Sequence, residues 1–455
     1  MRGLIRLFLA LLLPVAQAVS LDIKSKDSVN AATALIAKGL MDYYDGNKYG
    51  GTVGMMTAPY YWWEAGAAWN SMLEYWFITG DETYNPTVKE SLLYQVGANK
   101  DYLPSNQSTT EGNDDQGFWG IAAMAAAERN FSNPSENQPG WLYLAQAVFN
   151  QMVTRWDTEN CNGGLRWQIY TWNAGWDYKN TVSNGCMFNL AARLARYTGN
   201  QSYADWADKI WDWLQEVEFL NYDSGLFKLY DGAHLENECK NHTNIEWTYN
   251  YGLLLSGSAF LYDFTNQSSV WEERATELWN RAKVFFDNGV MYEAACNPIG
   301  GTMRCNNDQR CFKAIFSRFL GHTATFIPSL QDDIMSSLDS SAAGAAQSCS
   351  GGTDGHTCGL SWTYSGWDNY YGLGEQMSAL ECILNTQILT VAKPLSKRTG
   401  ATSNGSETAG STQKTLNNPL SDQTVITGTD RAGAGVLTAV ILVALLSIGF
   451  WMIWK

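Results

Sequence analysis

Helical segments of two different kinds alternate along most of this 455-residue chain. One kind is amphipathic and charged, as in residues 269–279, and the other is rich in Ala, Gly, Leu and aromatic residues, as in residues 119–127. A helix that is apolar on nearly all sides must be buried, whereas an amphipathic helix covers it from outside. The alternation therefore predicts two concentric layers of helices.

Six such pairs follow one another, each with its outer helix first. The predicted pairs are Asp27–Tyr44 with Tyr61–Thr79, Asn85–Ala98 with Asp115–Asn130, Pro139–Trp156 with Thr181–Thr198, Ser202–Val217 with Glu246–Phe264, Ser269–Phe286 with Cys311–Ile327, and Ser329–Ala346 with Asn369–Thr390. Six helical hairpins can close into a ring. We therefore predict an all-α fold, an (α/α)6 barrel over residues 19–393, with short strands at most in the connections.

The connections before the predicted inner helices are long and rich in Trp, Tyr, Asn and Gly, and all six should meet at one mouth of the ring. One of them carries Asp114 and Asp115 side by side, followed by Phe118 and Trp119. Two neighbouring carboxyl groups in an aromatic setting repel each other, so one tends to keep its proton while the other stays ionised. A proton donor beside a carboxylate is what cleavage of a glycosidic bond requires.

A solvated surface pair is the competing interpretation of two adjacent aspartates. The chain has a second such pair, Asp332-Asp333, in a predicted outer helix. The dipeptide alone is therefore a weak signal, and its position at the predicted mouth is what favours catalysis.

Aromatic and amide side chains in the same connections are candidates for sugar contacts, because pyranose C–H faces pack on rings and amides bind hydroxyl groups. Packing in the core or at the rim is the alternative for each. The candidates are Trp62, Trp63, Gln116, Trp119, Asn180, Asp231, Trp247, Tyr249, Asn250 and Tyr370. His322 is interpreted as a core histidine. Zinc is an alternative for Cys349, His356 and Cys358, but no second ligand pair has metal spacing, and with four histidines in the chain we expect no metal and no cofactor.

Both ends of the chain carry apolar segments. Residues 1–18 have a basic flank, an apolar run and a small-residue site typical of a secretory signal peptide. A Ser/Thr/Asn/Gly-rich stretch over 394–430 precedes an apolar tail over 431–455, which is the pattern of a GPI-anchor signal, with a single-span anchor as the alternative. The attachment residue stays open among Asn404, Asn417 and Ser421.

Sequons and cysteines also indicate the secretory pathway. Cys305 with Cys311 and Cys349 with Cys358 are the expected short-loop disulfides, and Cys382 is an expected buried thiol. Asn-X-Ser/Thr sites occur at Asn106, Asn130, Asn200, Asn241, Asn266 and Asn404. The formal charge of −15 makes nucleic acid an unfavourable partner and leaves any membrane contact to the lipid anchor.

Four segments resemble glycoside hydrolase family 76. They are Asn113–Gln116 with the following Phe118-Trp119-Gly120, Tyr178–Asn180, Trp247–Gly252 and Phe312–Phe316. The resemblance implies an (α/α)6 barrel and a retaining endo-α-1,6-mannosidase, with Asp114 as nucleophile and Asp115 as acid/base. Together with the two ends, it is similar to the fungal GPI-anchored branch implicated in cell-wall biogenesis.

That branch implies an α-mannoside substrate, either mannan or the GPI-core glycan, a β-glucan acceptor for transglycosylation, and a place at the outer face of the plasma membrane and in the cell wall. A non-catalytic cell-wall glycan-binding protein on the same barrel is the alternative, since it would keep the aromatic residues but not need both acids. Other (α/α)6 enzymes, lyases and epimerases, usually rely on His or Tyr bases, and the few histidines here disfavour them.

Overall fold

The computed structural model describes residues 19–223, 226–410, 438, 441–443 and 445–447. The chain divides into two compact units, Met1–Ser411 and Thr412–Lys455. The predicted signal peptide lies outside the described residues. So does most of the predicted apolar tail, whose described residues are helical. Among the residues described, no helix is both long and apolar enough to cross a membrane.

Within residues 19–410, twelve long helices alternate between an inner and an outer layer, which confirms the predicted (α/α)6 barrel. The inner helices are α2 (Trp62–Thr79), α4 (Asn113–Glu128), α6 (Thr181–Thr198), α8 (Thr248–Phe264), α11 (Phe312–Phe326) and α13 (Leu373–Asn385). The outer helices are α1 (Lys26–Met41), α3 (Asn85–Tyr94), α5 (Trp141–Thr154), α7 (Gln201–Glu216), α9 (Ser269–Ala282) and α12 (Pro328–Ser348). Each inner helix contacts the next, and α13 returns to α2, so the ring is closed.

The inner helices are buried over nearly their whole length because small residues let them approach closely. In α4, the run from Ile121 to Ala127 is fully buried. A Cβ atom on Gly257 of α8 would lie 2.4 Å from the ring of Phe188 on α6, so only glycine fits this crossing. The outer helices bury one face only, as their amphipathic pattern predicts.

In the part of the chain that the structure describes, short strands occur only in the connections. A three-stranded antiparallel sheet has the order β1 (Tyr178–Asn180), β4 (Gly232–His234), β5 (His242–Thr243). Two hairpins pair β2 (Leu220–Asp223) with β3 (Leu226–Leu229), and β6 (Phe286–Asp287) with β7 (Val290–Met291). A four-residue helix, α10 (Asn307–Arg310), precedes α11.

Three disulfides close loops, and one of the two expected pairs is wrong. Cys349 bonds to Cys358 as predicted, whereas Cys305 bonds to Cys296 and not to Cys311. Cys311 is buried at the start of α11, where its thiol donates to Glu64 Oε1 at 3.3 Å.

The other cysteines form a third disulfide or are free thiols. Cys161 bonds to Cys239, a pair that the sequence did not suggest. Cys186 is free and buried, and so is Cys382, as expected.

Residues beyond 393 are bound to the barrel, so the folded region extends past the predicted boundary with the linker. Leu395 N donates to the carbonyl of Glu128 at 2.8 Å, at the end of α4. The chain then follows α5, where Leu142 N donates to Ser403 Oγ at 2.9 Å and Gln151 Nε2 to Gly410 O at 2.5 Å. The polar composition predicted a linker from residue 394, but Leu395, Ser403 and Gly410 find partners on α4 and α5.

The six sequons lie at the surface, where glycosylation stays a prediction. Five of the asparagines are exposed, and Asn200 is half-buried as the N-cap of α7. The exposed ones are Asn106, Asn130, Asn241, Asn266 and Asn404.

Candidate active site

The long connections meet at the N-terminal ends of the inner helices and enclose a cleft of about 710 Å³. Asp114 and Asp115 lie in the first turn of α4 and line this cleft. The predicted position of the pair at the mouth is therefore confirmed. A helix N-terminus stabilises a negative charge, so this is a favourable place for one ionised carboxylate.

Local hydrogen bonds fix both carboxyl groups. The Asp115 carboxylate accepts from the backbone N–H of Gly112 at 2.5 Å and so caps its own helix. Asp114 Oδ2 accepts from the indole Nε1 of Trp167 at 3.1 Å. A Cβ atom on Gly112 would lie 2.3 Å from Asp114 Oδ1 and 3.1 Å from Asp115 Oδ2, so the absence of a side chain there makes room for the pair.

The partly buried Arg155 holds the start of α4. Arg155 Nε donates to Asn113 Oδ1 at 2.7 Å, and its Nη2 donates to Gln116 Oε1. These two residues immediately precede and follow the aspartate pair. The backbone N–H of Asn113 also donates to the carbonyl of Trp167 at 2.8 Å. The pair is thus anchored on both sides by elements that are distant in sequence.

The electrostatics separate the two acids. Burial raises the pKa of Asp114 to about 7, although the hydrogen bond from Trp167 acts in the opposite direction. Burial and then the neighbouring charge of Asp114 raise the pKa of Asp115 well above its ordinary value. Asp114 therefore ionises first and Asp115 keeps the proton, as expected for two adjacent acids that cannot both be charged.

A third acid, Glu111, is buried beside the pair and lines the same cleft. Neither of its carboxyl oxygens has a hydrogen-bond partner among the residues described. Burial, followed by the charge of Asp115, raises the pKa of Glu111 well above its ordinary value, while Arg155 opposes the shift. The base of the cleft therefore has little positive charge, and the carboxyl groups of Glu111 and Asp115 there are protonated.

Aromatic rings that pack on one another line the cleft. Trp63 packs at a tilt on Phe118 with ring centroids 4.9 Å apart. Tyr249 stacks on Phe312 at 3.7 Å, and Trp247 meets the same ring edge-on at 5.4 Å. Rings backed by other rings are held rigidly, which suits a surface for sugar stacking.

Six of the ten predicted sugar-contact residues line the cleft. They are Trp62, Trp63, Asn180, Asp231, Trp247 and Tyr249. Asn180 caps α6 by accepting from Ser183 N at 3.1 Å, and Asp231 Oδ2 accepts from Tyr178 Oη at 2.7 Å. Burial raises the pKa of Asp231. Contact of these six with sugar stays a prediction.

The other four do not line the cleft, and their assignment is corrected. Trp119 is fully buried behind Trp62, to whose carbonyl its Nε1 donates at 3.2 Å. Gln116 and Asn250 are likewise fully buried, and Gln116 Nε2 donates to the carbonyl of Asp101 at 2.8 Å. Tyr370 is exposed beside Arg310, whose guanidinium lies 5.4 Å from its ring centroid.

Several cleft residues were not singled out from the sequence. Trp167 and Glu111 lie in connections in which neither was given a role, and Asp308 lies in the short helix α10. Tyr178 lies in a segment that was quoted for the family resemblance, but it was given no role either. The signal that all four share is a place in a connection that precedes an inner helix.

The described residues contain no group of three or more His, Cys, Asp or Glu that could hold a metal ion. His322 is buried in α11 and hydrogen-bonded through Nδ1 to Ser256 Oγ at 3.2 Å. Burial lowers its pKa well below the ordinary value, so it is the core histidine that the sequence suggested.

Comparisons with known proteins agree with this geometry. The family model described as Glycosyl hydrolase family 76 matches residues 28–398. A Saccharomyces cerevisiae protein named mannan endo-1,6-alpha-mannosidase DCW1 is 55% identical over 438 residues, which cover 96% of this chain and 95% of the relative. The crystal structure of Dfg5 from Chaetomium thermophilum in complex with glucosamine is 38% identical, has a TM-score of 0.82, and covers 88% of this chain and 99% of its own.

A more distant structure shares the fold. It is an inactive variant of the α-1,6-mannanase GH76A of Salegentibacter sp., with two consecutive aspartates replaced by alanine, in complex with α-1,6-mannotetrose. It is 18% identical with a TM-score of 0.62, and covers 78% of this chain and 99% of its own. The family match and the similarity to DCW1 and Dfg5 show that this chain belongs to glycosyl hydrolase family 76 and is a glycoside hydrolase.

Proposed function

We propose that this chain is a retaining endo-α-1,6-mannosidase whose nucleophile is Asp114 and whose acid/base is Asp115. The observation that carries the proposal is the pair itself, two carboxyl groups in one aromatic cleft with unequally raised pKa values. The names of the close relatives support an α-1,6-mannan substrate. Inactivity of the distant mannanase that lacks two consecutive aspartates supports the role of the pair.

The reaction has two steps. Protonated Asp115 donates its proton to the glycosidic oxygen while Asp114 attacks the anomeric carbon, so the C–O bond breaks and a glycosyl-enzyme ester forms. Asp115, now ionised, then removes a proton from the incoming hydroxyl group, which displaces Asp114 from the sugar. Trp167 supports the first step, since its indole N–H stabilises the charge on Asp114 before the attack.

The charge of the cleft limits the substrate. Five carboxyl groups line it, and no Lys, Arg or His does so in the part of the chain that the structure describes. Phosphorylated or acidic sugars would be repelled, whereas neutral sugars would not be. A protonated amino sugar would be attracted, and glucosamine is the ligand named for the Chaetomium relative. Both mannan and a GPI-core glycan with its free amine therefore fit the proposal.

The more specific reaction that we propose is transglycosylation at the outer cell surface. If a β-glucan hydroxyl instead of water captures the glycosyl-enzyme, the same two residues transfer the mannoside to the cell wall. The signal-like leader and the anchor-like tail support a GPI-anchored protein at the plasma membrane that contributes to cell-wall biogenesis.

The test uses an α-1,6-mannan oligosaccharide, with and without a β-glucan acceptor, and follows products by mass spectrometry and the product anomer by NMR. We expect α-configured products, and a transfer product when glucan is present. Asp114→Asn should lower kcat by about 10³-fold or more, because no nucleophile remains. Asp332→Asn, in the exposed second aspartate pair, is the matched control and should keep wild-type kcat.

Two results would contradict the proposal. An inverted product would remove the nucleophile role from Asp114. Undiminished turnover by Asp114→Asn would favour the non-catalytic glycan-binding alternative for this cleft.

A further inference from the structure

One cleft acid has no part in the proposed reaction. Asp308 lies in α10, just before the inner helix α11, and lines the same cleft as the aspartate pair. It is only partly buried, so its carboxylate can reach a bound ligand.

One oxygen of this carboxylate is held and the other is not. Asp308 Oδ1 accepts from Trp63 Nε1 at 2.8 Å. No residue that the structure describes donates a hydrogen bond to Oδ2. Trp63 in turn packs on Phe118, which lies three residues after Asp115 on α4. The open oxygen therefore shares a wall with the reacting groups.

The segment around Asp308 is rigid. Asn306 and Gln309 cap each other, with both the N–H of Asn306 and the N–H of Gln309 hydrogen-bonded at 3.0 Å to the other side chain. The disulfide between Cys296 and Cys305 closes the loop immediately before them. A carboxylate on such a frame is already oriented before ligand binds, which reduces the entropy lost on binding.

The charge of Asp308 also needs a partner. No cationic side chain among the described lining residues neutralises it, and the nearby Asp114, which ionises before Asp115, carries charge of the same sign. Sugar hydroxyl groups are strong donors to a carboxylate. An aromatic ring beside a carboxylate with a free oxygen is the combination that binds the face and the edge of one pyranose unit.

We propose that Asp308 is a substrate-binding residue, whose Oδ2 accepts a hydrogen bond from a hydroxyl group of the mannose unit that packs against Trp63. The inference rests on the proposed mannosidase function and adds a second point of attachment in the cleft that Asp114 lines. Asp308 binds the substrate and takes no part in proton transfer.

The test measures binding of α-1,6-mannotriose by calorimetry in the inactive Asp114→Asn background. Asp308→Asn keeps an acceptor for Trp63 but places an amide donor in the cleft. We expect its affinity to fall about 10- to 100-fold, the effect of losing a hydrogen bond to a charged acceptor. With an intact Asp114, the same substitution should raise KM by a similar factor and leave kcat within about threefold.

A matched control exists in the outer layer. Asp333 Oδ2 accepts from Trp279 Nε1 at 2.9 Å, away from the cleft. Asp333→Asn disturbs the same kind of indole–carboxylate contact and should leave mannotriose affinity unchanged. Thermal unfolding checks that each variant folds. Asp308→Ser is measured as a second variant at position 308.

The outcomes separate the two hypotheses. If Asp114→Asn binds mannotriose and the added Asp308→Asn binds it equally well, the role of Asp308 is overturned and the mannosidase proposal stands. If neither wild type nor Asp114→Asn binds any α-1,6-mannoside, the proposed function itself fails, and the inference about Asp308 fails with it.

Discussion

The mouth and the interior of the barrel both bury carboxyl groups, but these groups differ in their cationic partners. Deeper in the ring, three glutamates each face an arginine on a neighbouring inner segment, with side chains at most 2% exposed. We call this set the Arg–Glu belt, and its pairs are Glu74 with Arg129, Glu128 with Arg193, and Glu381 with Arg318. At the mouth, Glu111, Asp114 and Asp115 lie close together with only Arg155 behind them.

The comparison shows that the partner, not burial alone, decides what a buried acid does. In the belt each glutamate has a cation within hydrogen-bond distance, so its charge is paired and the pair joins neighbouring helices. At the mouth a single arginine faces several acids, and its side chain donates to Asn113 and Gln116 instead. Asp115 therefore keeps a proton there, which the proposed mechanism uses.

Breaking the belt should have the largest effect on stability. Arg318 Nε donates to Glu381 Oε1 at 3.0 Å and its Nη2 donates to Ser71 Oγ at 2.8 Å. Arg318→Met leaves the Glu381 carboxylate buried without its cation, so we expect a loss of about 3–5 kcal/mol in the free energy of unfolding. Urea denaturation measures it.

The matched control for the belt is an exposed ion pair. Lys240 Nζ lies 3.0 Å from Glu218 Oε1, with both side chains about half exposed. Lys240→Met should cost less than about 1 kcal/mol. Equal losses in the two variants would contradict the special role of burial in the belt.

Filling the space at Gly112 should affect activity more than stability. The added Cβ of Gly112→Ala would lie 2.3 Å from Asp114 Oδ1, while the backbone (φ −96°) tolerates alanine. Displacement of the nucleophile should lower kcat about 100-fold, equivalent to about 2.7 kcal/mol in the activation barrier. Steady-state kinetics on α-1,6-mannan and a melting curve separate the two effects.

Gly185→Ala in α6 is the control for this substitution. The nearest atoms to its added Cβ belong to the side chain of Leu253, at 3.3 Å and beyond, so kcat should stay at the wild-type value. A Gly112→Ala enzyme with wild-type kcat would show that the pair has more room than the geometry indicates.

The smallest expected effect is on the pH dependence of stability. Because the pKa of Asp115 is raised in the folded state, folding retains a proton that the unfolded chain loses near its ordinary pKa of about 3.9. Stability from this group is therefore fully present below about pH 4 and is lost as pH rises through the folded pKa. Asp115→Asn should match wild type near pH 3.5 and exceed it near pH 8 by about 1 kcal/mol or more.

Melting temperatures across this pH range measure that difference. The exposed Asp332→Asn should follow the wild-type curve throughout. Parallel curves for Asp115→Asn and wild type would mean that Asp115 titrates as in the unfolded chain, and the division of roles within the pair would lose its support.

The sequence predicted the fold well because helix periodicity and burial are local signals. All twelve long helices occur, and the run Ile121–Ala127 is buried as its composition requires. It predicted the site less completely. Trp62 and Trp119 look equivalent in sequence, yet Trp119 lies one helical turn beyond Asp115 and packs against Gly66 instead of facing the cleft.

Errors arose where distant segments compete for one partner. Cys311 is close to Cys305 in sequence, but its burial at the start of α11 beside Glu64 leaves Cys305 to bond with Cys296. Asp308 was missed because a four-residue helix has no periodicity to mark it.

By itself, the sequence determined the two layers of helices, the closed ring and the place of the aspartate pair at its mouth, since each follows from residues close together in the chain. Only the tertiary structure decided which rings and acids share the cleft. The contact between Trp63 and Asp308 joins residues 245 positions apart, and such contacts depend on the angles at which six hairpins close, which no local pattern encodes.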